Sequence, residues 1–284
     1  LAVLTATEED ADGAVLARVE EAAGTGAWTE VSPALYETLS LAQEMARQSD
    51  GAFDVTSGTL TELWDAARAA QHPPTAEEIA AAQSRVDWHA LELREHAADD
   101  GEHPEVRLLR AGMKIDRGAL IKGLALDGIA RSWAAGGAVN ALADLGSSSI
   151  LACGVNAEGE PWRIGVRNPR GESRSDLAAT VQLSDAMLSA SGDDERYFLY
   201  EGRRYHHLVD PRTGDPAETG LASVTVILPQ DAMTGTMWAG HEGQLSDMLS
   251  TAIFVMGAER GRSLLTDIPG AQLILIGTDG RVIE

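Results

Sequence analysis

Apolar residues recur at three- and four-residue steps over residues 14–23, 33–49 and 59–70, which predicts three amphipathic helices. Gln71-His72-Pro73-Pro74-Thr75 breaks the third, and Thr75 ahead of Ala76-Glu77-Glu78 reads as the N-cap of a fourth, alanine-rich helix. The polar, charged stretch 94–104 predicts a loop. A further helix is predicted over 118–134, opened by Asp116 and Gly118. Beyond it the pattern shortens to strands at 138–142, 149–152, 162–166, 177–183, 197–200, 205–209 and 223–228. One helix over 245–256 follows, then a strand at 272–276 and a last one at 281–283 behind a Thr278-Asp279-Gly280 hairpin turn. Mostly sequential strands with helices grouped between them make the fold class α+β, and no internal repeat stands out.

Composition narrows the classes. The 284 residues suffice for one large or two modest domains with a real core. Acidic residues number 44 against 22 basic ones, a net charge of −22, which argues against nucleic acid or an anionic membrane as partner. A single cysteine, Cys153, lies in an apolar run, so no disulfide forms within the chain and a buried structural thiol is expected. No apolar run approaches the roughly 18 residues of a membrane span. The start at Leu1 rather than Met is read as a missing leader or first strand.

The densest chemistry lies in His206-His207-Leu208-Val209-Asp210-Pro211-Arg212-Thr213-Gly214, an imidazole pair at the end of an apolar strand and ahead of a turn. Alternation along a strand sends the two rings to opposite faces, so one of them is available as a general base. A satisfied surface histidine and a plain Asp-Pro turn would give the same letters. Asp247 and Thr251, four residues apart on a predicted helix, put a carboxylate and a hydroxyl on one face, two oxygen donors for a hard cation. An exposed polar helix face explains that spacing equally well. His72, His89, His96 and His103 have no metal-ligand spacing.

Several motifs in order change the balance: Gly51-Ala52-Phe53-Asp54-Val55-Thr56; Lys114-Ile115-Asp116-Arg117-Gly118-Ala119-Leu120-Ile121-Lys122-Gly123 with Asp127; Ser189-Ala190-Ser191-Gly192-Asp193; the His206–Gly214 stretch; and Ser246-Asp247-Met248-Leu249-Ser250-Thr251. Together they resemble the ApbE family of FAD:protein FMN transferases, over nearly the whole chain from about Gly24. The resemblance implies a single domain over 1–284, with mixed, mainly antiparallel sheets, packed helices and an FAD cleft between two lobes. It implies an enzyme that splits FAD at its pyrophosphate with magnesium, attaches FMN to a threonine of a target protein through a phosphoester, and releases AMP. By the same resemblance His207 is the catalytic base. Ala52, Phe53, Asp54, Asp116 and Lys122 contact FAD, and the Ala119 carbonyl, Asp247 and Thr251 hold Mg2+. Export, to the periplasm or to a membrane anchor at an N-terminal cysteine, is implied as well.

The chain departs from the family pattern in places. No Met-Gly-Thr-like strand opens it, and Leu16-Ala17-Arg18-Val19-Glu20 stands where many members carry Ser-Glu and Arg-Leu-Asn segments. Asp144-Leu145-Gly146-Ser147-Ser148 replaces a Leu-Gly-Gly-Asp-like turn, and Asp194 stands where an aromatic often follows the Ser189–Asp193 turn. Residues 234–244 are extra, an ordinary surface insertion or a glycine-rich lid. Transfer to threonine, hydrolysis of FAD to FMN and AMP, and plain flavin binding all remain open to a chain with these residues.

Overall fold

A computed structural model describes residues 11–98, 101–173 and 175–283. The first ten residues, where the family's opening strand would fall, lie outside the described ones. In chain order the elements are α1 (Ala11–Glu21), β1 (Thr29–Glu30), α2 (Pro33–Gln48), α3 (Gly58–Ala70), α4 (Ala76–Gln83), β2 (Leu91–Ala98), β3 (Gly101–Leu108) and α5 (Gly118–Gly136). There follow β4 (Ala141–Asp144), β5 (Ser149–Cys153), β6 (Trp162–Arg167), β7 (Leu177–Leu183), β8 (Ala186–Gly192), β9 (Tyr197–Tyr200), β10 (Arg203–His206) and β11 (Leu221–Pro229). The chain ends with α6 (Glu242–Met256), α7 (Ala258–Arg262), β12 (Gln272–Gly277) and β13 (Val282–Ile283). Among the described residues, β1–β3, β2–β3, β4–β5, β5–β8, β6–β7, β8–β11, β11–β12 and β12–β13 pair antiparallel, in keeping with an α+β fold.

The chain divides into two compact units. One comprises the residues up to Ile121 together with Phe198–Pro216. In it, α2 begins where Ser32 accepts the Leu35 N–H and Pro33 takes the first helical position. Thr75 and Glu78 close a capping box on α4. β1, β3 and β2 form a small sheet on which α2 packs. Trp64 and Ala67 of α3 bury against Phe198, with Ile79, Tyr200, Tyr205 and Val209 around them.

The other unit comprises Lys122–Tyr197 and the residues from Ala217 on. Its sheet runs β13-β12-β11-β8-β5-β4. β11 lies between β12 and β8 and is buried almost end to end, with Ser223 and Thr225 alternating with Val224 and Val226 and buried like them. Ile150, Ala152, Leu188 and Ile227 face one side, where Trp162, Ile164 and Val181 of the β6–β7 hairpin cover them. α6 packs on β8 and β11, and its buried residues surround the helix, the mark of a core helix.

Several boundaries differ from the sequence-based expectation, among them a strand expected over 138–142 that is found at Ala141–Asp144. The stretch 94–104 is not a loop but most of the β2–β3 hairpin, whose charged side chains pair across the strands: Arg94 with Glu105 and Arg107 with Glu92. Ser189–Gly192 is not a turn but the end of β8, paired with β11. The strand expected over 205–209 ends at His206, and Val209 makes only an isolated bridge to Pro216. α6 starts at Glu242 rather than Leu245, so the end of the extra 234–244 segment is helical.

Candidate functional site

In the first unit, three segments far apart in sequence come together. α2 ends at Ser49, and Asp50 and Gly51 take left-handed backbone conformations, φ 54° and 71°, turning the chain back. The Ser49 hydroxyl accepts the Phe53 N–H at 3.0 Å, which fixes the following turn. Ala52 and Phe53 are buried there, at 1% and 2% exposure, so their side chains serve the core and their backbone is what a ligand could meet. Asp54 is buried too. Its Oδ1 accepts the Thr56 N–H and hydroxyl, both at 2.7 Å, and its Oδ2 accepts the Trp88 N–H at 3.0 Å. Burial pushes its carboxyl up to about 6, against the pull of those hydrogen bonds.

The Asp116 segment lies beside this turn, because the Asp116 N–H donates to the Val55 carbonyl at 2.7 Å and the Gly58 N–H to the Lys114 carbonyl at 3.2 Å. One Asp116 oxygen accepts the Thr61 hydroxyl at 2.6 Å; the other accepts the Ala119 N–H at 3.3 Å and so caps α5. Glu20 of α1 braces the same segment, accepting the Ile115 N–H at 3.1 Å and Arg117 at 3.2 Å, while burial pushes its carboxyl up.

The third segment is the His206–Gly214 loop. His206 is buried, and its Nδ1 accepts the Leu208 N–H at 3.3 Å, which folds that ring onto its own backbone; His207, the next residue, is half-buried. Asp210 accepts the Thr213 and Gly214 N–H groups on its carbonyl and holds Arg212 through both carboxylate oxygens. The loop is clamped from α3 and α4: Trp64 donates its indole N–H to the Gly214 carbonyl at 2.9 Å, and Gln83 donates to the Arg212 carbonyl. Gly214 sits at φ +81°, and a Cβ there would lie 2.7 Å from Ile79.

In the second unit, Lys122 of α5 and Asp247 and Thr251 of α6 belong to one polar seam. Lys122 donates to the Ser148 hydroxyl at 2.7 Å. Asp247 accepts the Gly123 N–H at 3.2 Å and the Ser149 hydroxyl at 3.5 Å. Burial pushes the Asp247 carboxyl up to about 6, with Lys122 pulling it back. Thr251 lies 3.2 Å from the Ser191 hydroxyl. A half-buried carboxylate, a threonine hydroxyl and serine hydroxyls form an all-oxygen donor set, which suits Mg2+. Among the described residues no three His, Cys, Asp or Glu side chains gather into a metal cluster. A cation at Asp247 would therefore rely on hydroxyl, carbonyl, phosphate and water oxygens beside that one carboxylate. Ala119, the expected carbonyl ligand, lies in the first turn of α5.

The serines of two of the sequence motifs are partners of one another, which the motifs themselves do not show. Ser189 and Ser191 alternate on β8, and Ser246 and Ser250 are four apart on α6; they pair as Ser189 with Ser246 and Ser191 with Ser250, each at 2.8 Å. The periods of two and four were the available signal. Cys153 is half-buried rather than buried, its thiol donating to the Ala138 carbonyl, and burial and Asp185 push its thiol up, away from reactivity. No helix among the described residues is long and apolar enough to cross a membrane.

A model of the ApbE family matches residues 4–275. The FAD:protein FMN transferase of Treponema pallidum (strain Nichols) is 33% identical over 288 residues, 99% of this chain and 74% of the relative. The protein of the same name from Haemophilus influenzae is 29% identical over 255 residues, 88% of this chain and 68% of the relative. Among solved structures, the ApbE protein of Thermotoga maritima aligns with a TM-score of 0.76 at 32% identity, covering 99% of this chain and 84% of its own.

Proposed function

The chain belongs to the ApbE family, and from that premise we propose that it is an enzyme that transfers FMN from FAD to a threonine hydroxyl of a target protein, with Mg2+, and releases AMP. The observation that carries the reading is the Lys122, Asp247 and Thr251 group: a cation and an all-oxygen donor set in one polar seam of an otherwise acidic protein. A pyrophosphate brings negative charge, and a net charge of −22 makes local positive charge a requirement.

In this reading Asp247 and Thr251, with the Ala119 carbonyl, hold Mg2+, which would neutralise the pyrophosphate. Lys122 binds a flavin phosphate by a charge-assisted hydrogen bond, giving up its bond to Ser148. The backbone of Ala52–Asp54 and the Asp116 segment seat the flavin nucleotide. His207 takes the proton of the threonine hydroxyl; the threonine oxygen bonds to the FMN phosphorus, and the bond from that phosphorus to the AMP oxygen breaks. One threonine ester, one AMP and one proton result. Exported or membrane-anchored placement belongs to the same proposal, and fractionating cells that express the full-length protein tests it.

Nucleotide analysis tests the reaction. Purified protein with FAD and Mg2+ should release AMP in step with loss of a threonine-bearing acceptor, and His207→Ala should release almost none. AMP and free FMN with the acceptor untouched would mark a hydrolase, and intact FAD would mark a binding protein.

A further inference from the structure

α6 carries Asp247 and Thr251, and the residue at its N-cap position does not cap it: the His241 ring Nδ1 meets the Gln244 side-chain amide at 3.0 Å rather than a backbone N–H of the first turn. The cap comes from α5. Asp127, fully buried, accepts the Gly243 N–H on Oδ1 at 2.7 Å, and accepts the Gln244 N–H at 3.2 Å and the Gln244 side-chain amide at 3.1 Å on Oδ2. One turn earlier on α5 the exchange is reversed, since the Gly123 N–H donates to Asp247 Oδ2. Each helix thus supplies a carboxylate to the other's backbone. Between the two exchanges the backbones touch: a Cβ on Gly123 would stand 2.6 Å from the Gln244 Cα, and one on Gly243 would stand 2.8 Å from the Gly123 carbonyl.

We propose that Asp127 is a positioning residue for the metal step, fixing the rotation of α6 about its axis so that Asp247 and Thr251 face one point. The proposal rests on the reading of Asp247 and Thr251 as metal ligands. Where two glycines leave the backbones in contact, no interlocking side chains set the register there, and the paired carboxylates do. A serine or asparagine would cap a helix end at lower desolvation cost than a buried carboxylate. What the carboxylate adds is a hold through two oxygens at once, and a two-point hold resists rotation where a single bond does not. The same contacts make a plain helix cap, so the test separates fold stability from metal affinity.

The measurement is Mn2+ affinity by spin-resonance titration without FAD, on the wild type, on Asp127→Asn, and on Leu188→Ala, a core truncation on the opposite face of the sheet. Circular dichroism and urea unfolding report the fold of each. The expected result is a folded Asp127→Asn with Mn2+ affinity lower by about tenfold, in line with the loss of an orienting partner, and Leu188→Ala less stable but within about twofold of wild-type affinity. Unchanged affinity in folded Asp127→Asn, an equal loss in Leu188→Ala, or a wild type that binds no Mn2+ would overturn it. If Asp127→Asn does not fold, Gln244→Met, which removes the side-chain bonds to Asp127 and His241 and keeps both backbone N–H bonds to Asp127, decides: a smaller loss supports positioning, and no loss overturns it. FMN transfer is assayed separately, so a protein that binds Mn2+ but transfers nothing sinks the functional reading and leaves this one standing.

Discussion

Replacing Asp54 by Asn should destabilise the protein more at mildly acidic pH than at neutral pH, the reverse of what losing an ordinary ion-paired carboxylate does. The wild-type carboxyl is raised from 3.8 to about 6 in the folded state, with burial the largest cause. The folded state therefore holds its proton more tightly than the unfolded chain. The resulting stabilisation is complete below about pH 4 and is lost as pH rises through about 6, with a full span of about 3 kcal/mol. Between pH 7 and pH 4.5 the wild type recovers about 2 kcal/mol from this group; Asn, which does not titrate, recovers none. At pH 7 the amide keeps an oxygen for Thr56 but turns an NH2 toward the Trp88 N–H, at a cost of about 1–2 kcal/mol. Urea unfolding of both proteins at the two pH values gives the difference, which should widen from about 1–2 to about 3–4 kcal/mol on acidification. A difference that stays level or narrows would refute the assignment of a raised, burial-driven carboxyl at Asp54.

Other substitutions follow from the same contacts. His207→Ala should lower the rate of FMN transfer by about 100- to 10,000-fold with little change in FAD affinity, as loss of a general base does; a loss confined to KM would remove it from that role. Lys122→Met should weaken FAD binding by about tenfold or more, the worth of a charge-assisted bond to phosphate, read by flavin fluorescence; unchanged affinity would place the phosphate elsewhere. Gly214→Ala, at φ +81° with its Cβ 2.7 Å from Ile79, should cost about 2 kcal/mol or more by thermal unfolding; a neutral result would mean that the His206–Gly214 loop is not clamped on α4.

Elements whose signals are local were legible in the sequence. Ser32-Pro33 and Thr75 with Glu78 carry their caps within four residues, and the turn after β12 needs only Gly280 at φ +80°. Those specified from a distance were not. The β2–β3 hairpin has no apolar alternation at its outer end; its order comes from cross-strand ion pairs and from Trp28 held between the Arg94 and Arg107 guanidinium groups. The start of α6 was misplaced because its cap, Asp127, lies on another helix. β8 read as a turn because serines, alanine and glycine look like one, although Ser189 and Ser191 are partners for α6. The motifs singled out His207, Asp54, Asp116, Lys122, Asp247 and Thr251, but not the bonds each side chain makes. Asp54 spends both oxygens on Thr56 and Trp88, and Asp116 spends its own on Thr61 and the start of α5.

The most direct test of the central claim is the intact mass of a threonine-bearing acceptor peptide after incubation with the protein and FAD, in Mg2+ and in excess chelator. The account predicts a gain of one FMN in Mg2+, no gain in chelator, and none with Asp247→Ala in either. A peptide that stays unmodified while FAD is bound or hydrolysed, or one modified equally well without the metal, would contradict it.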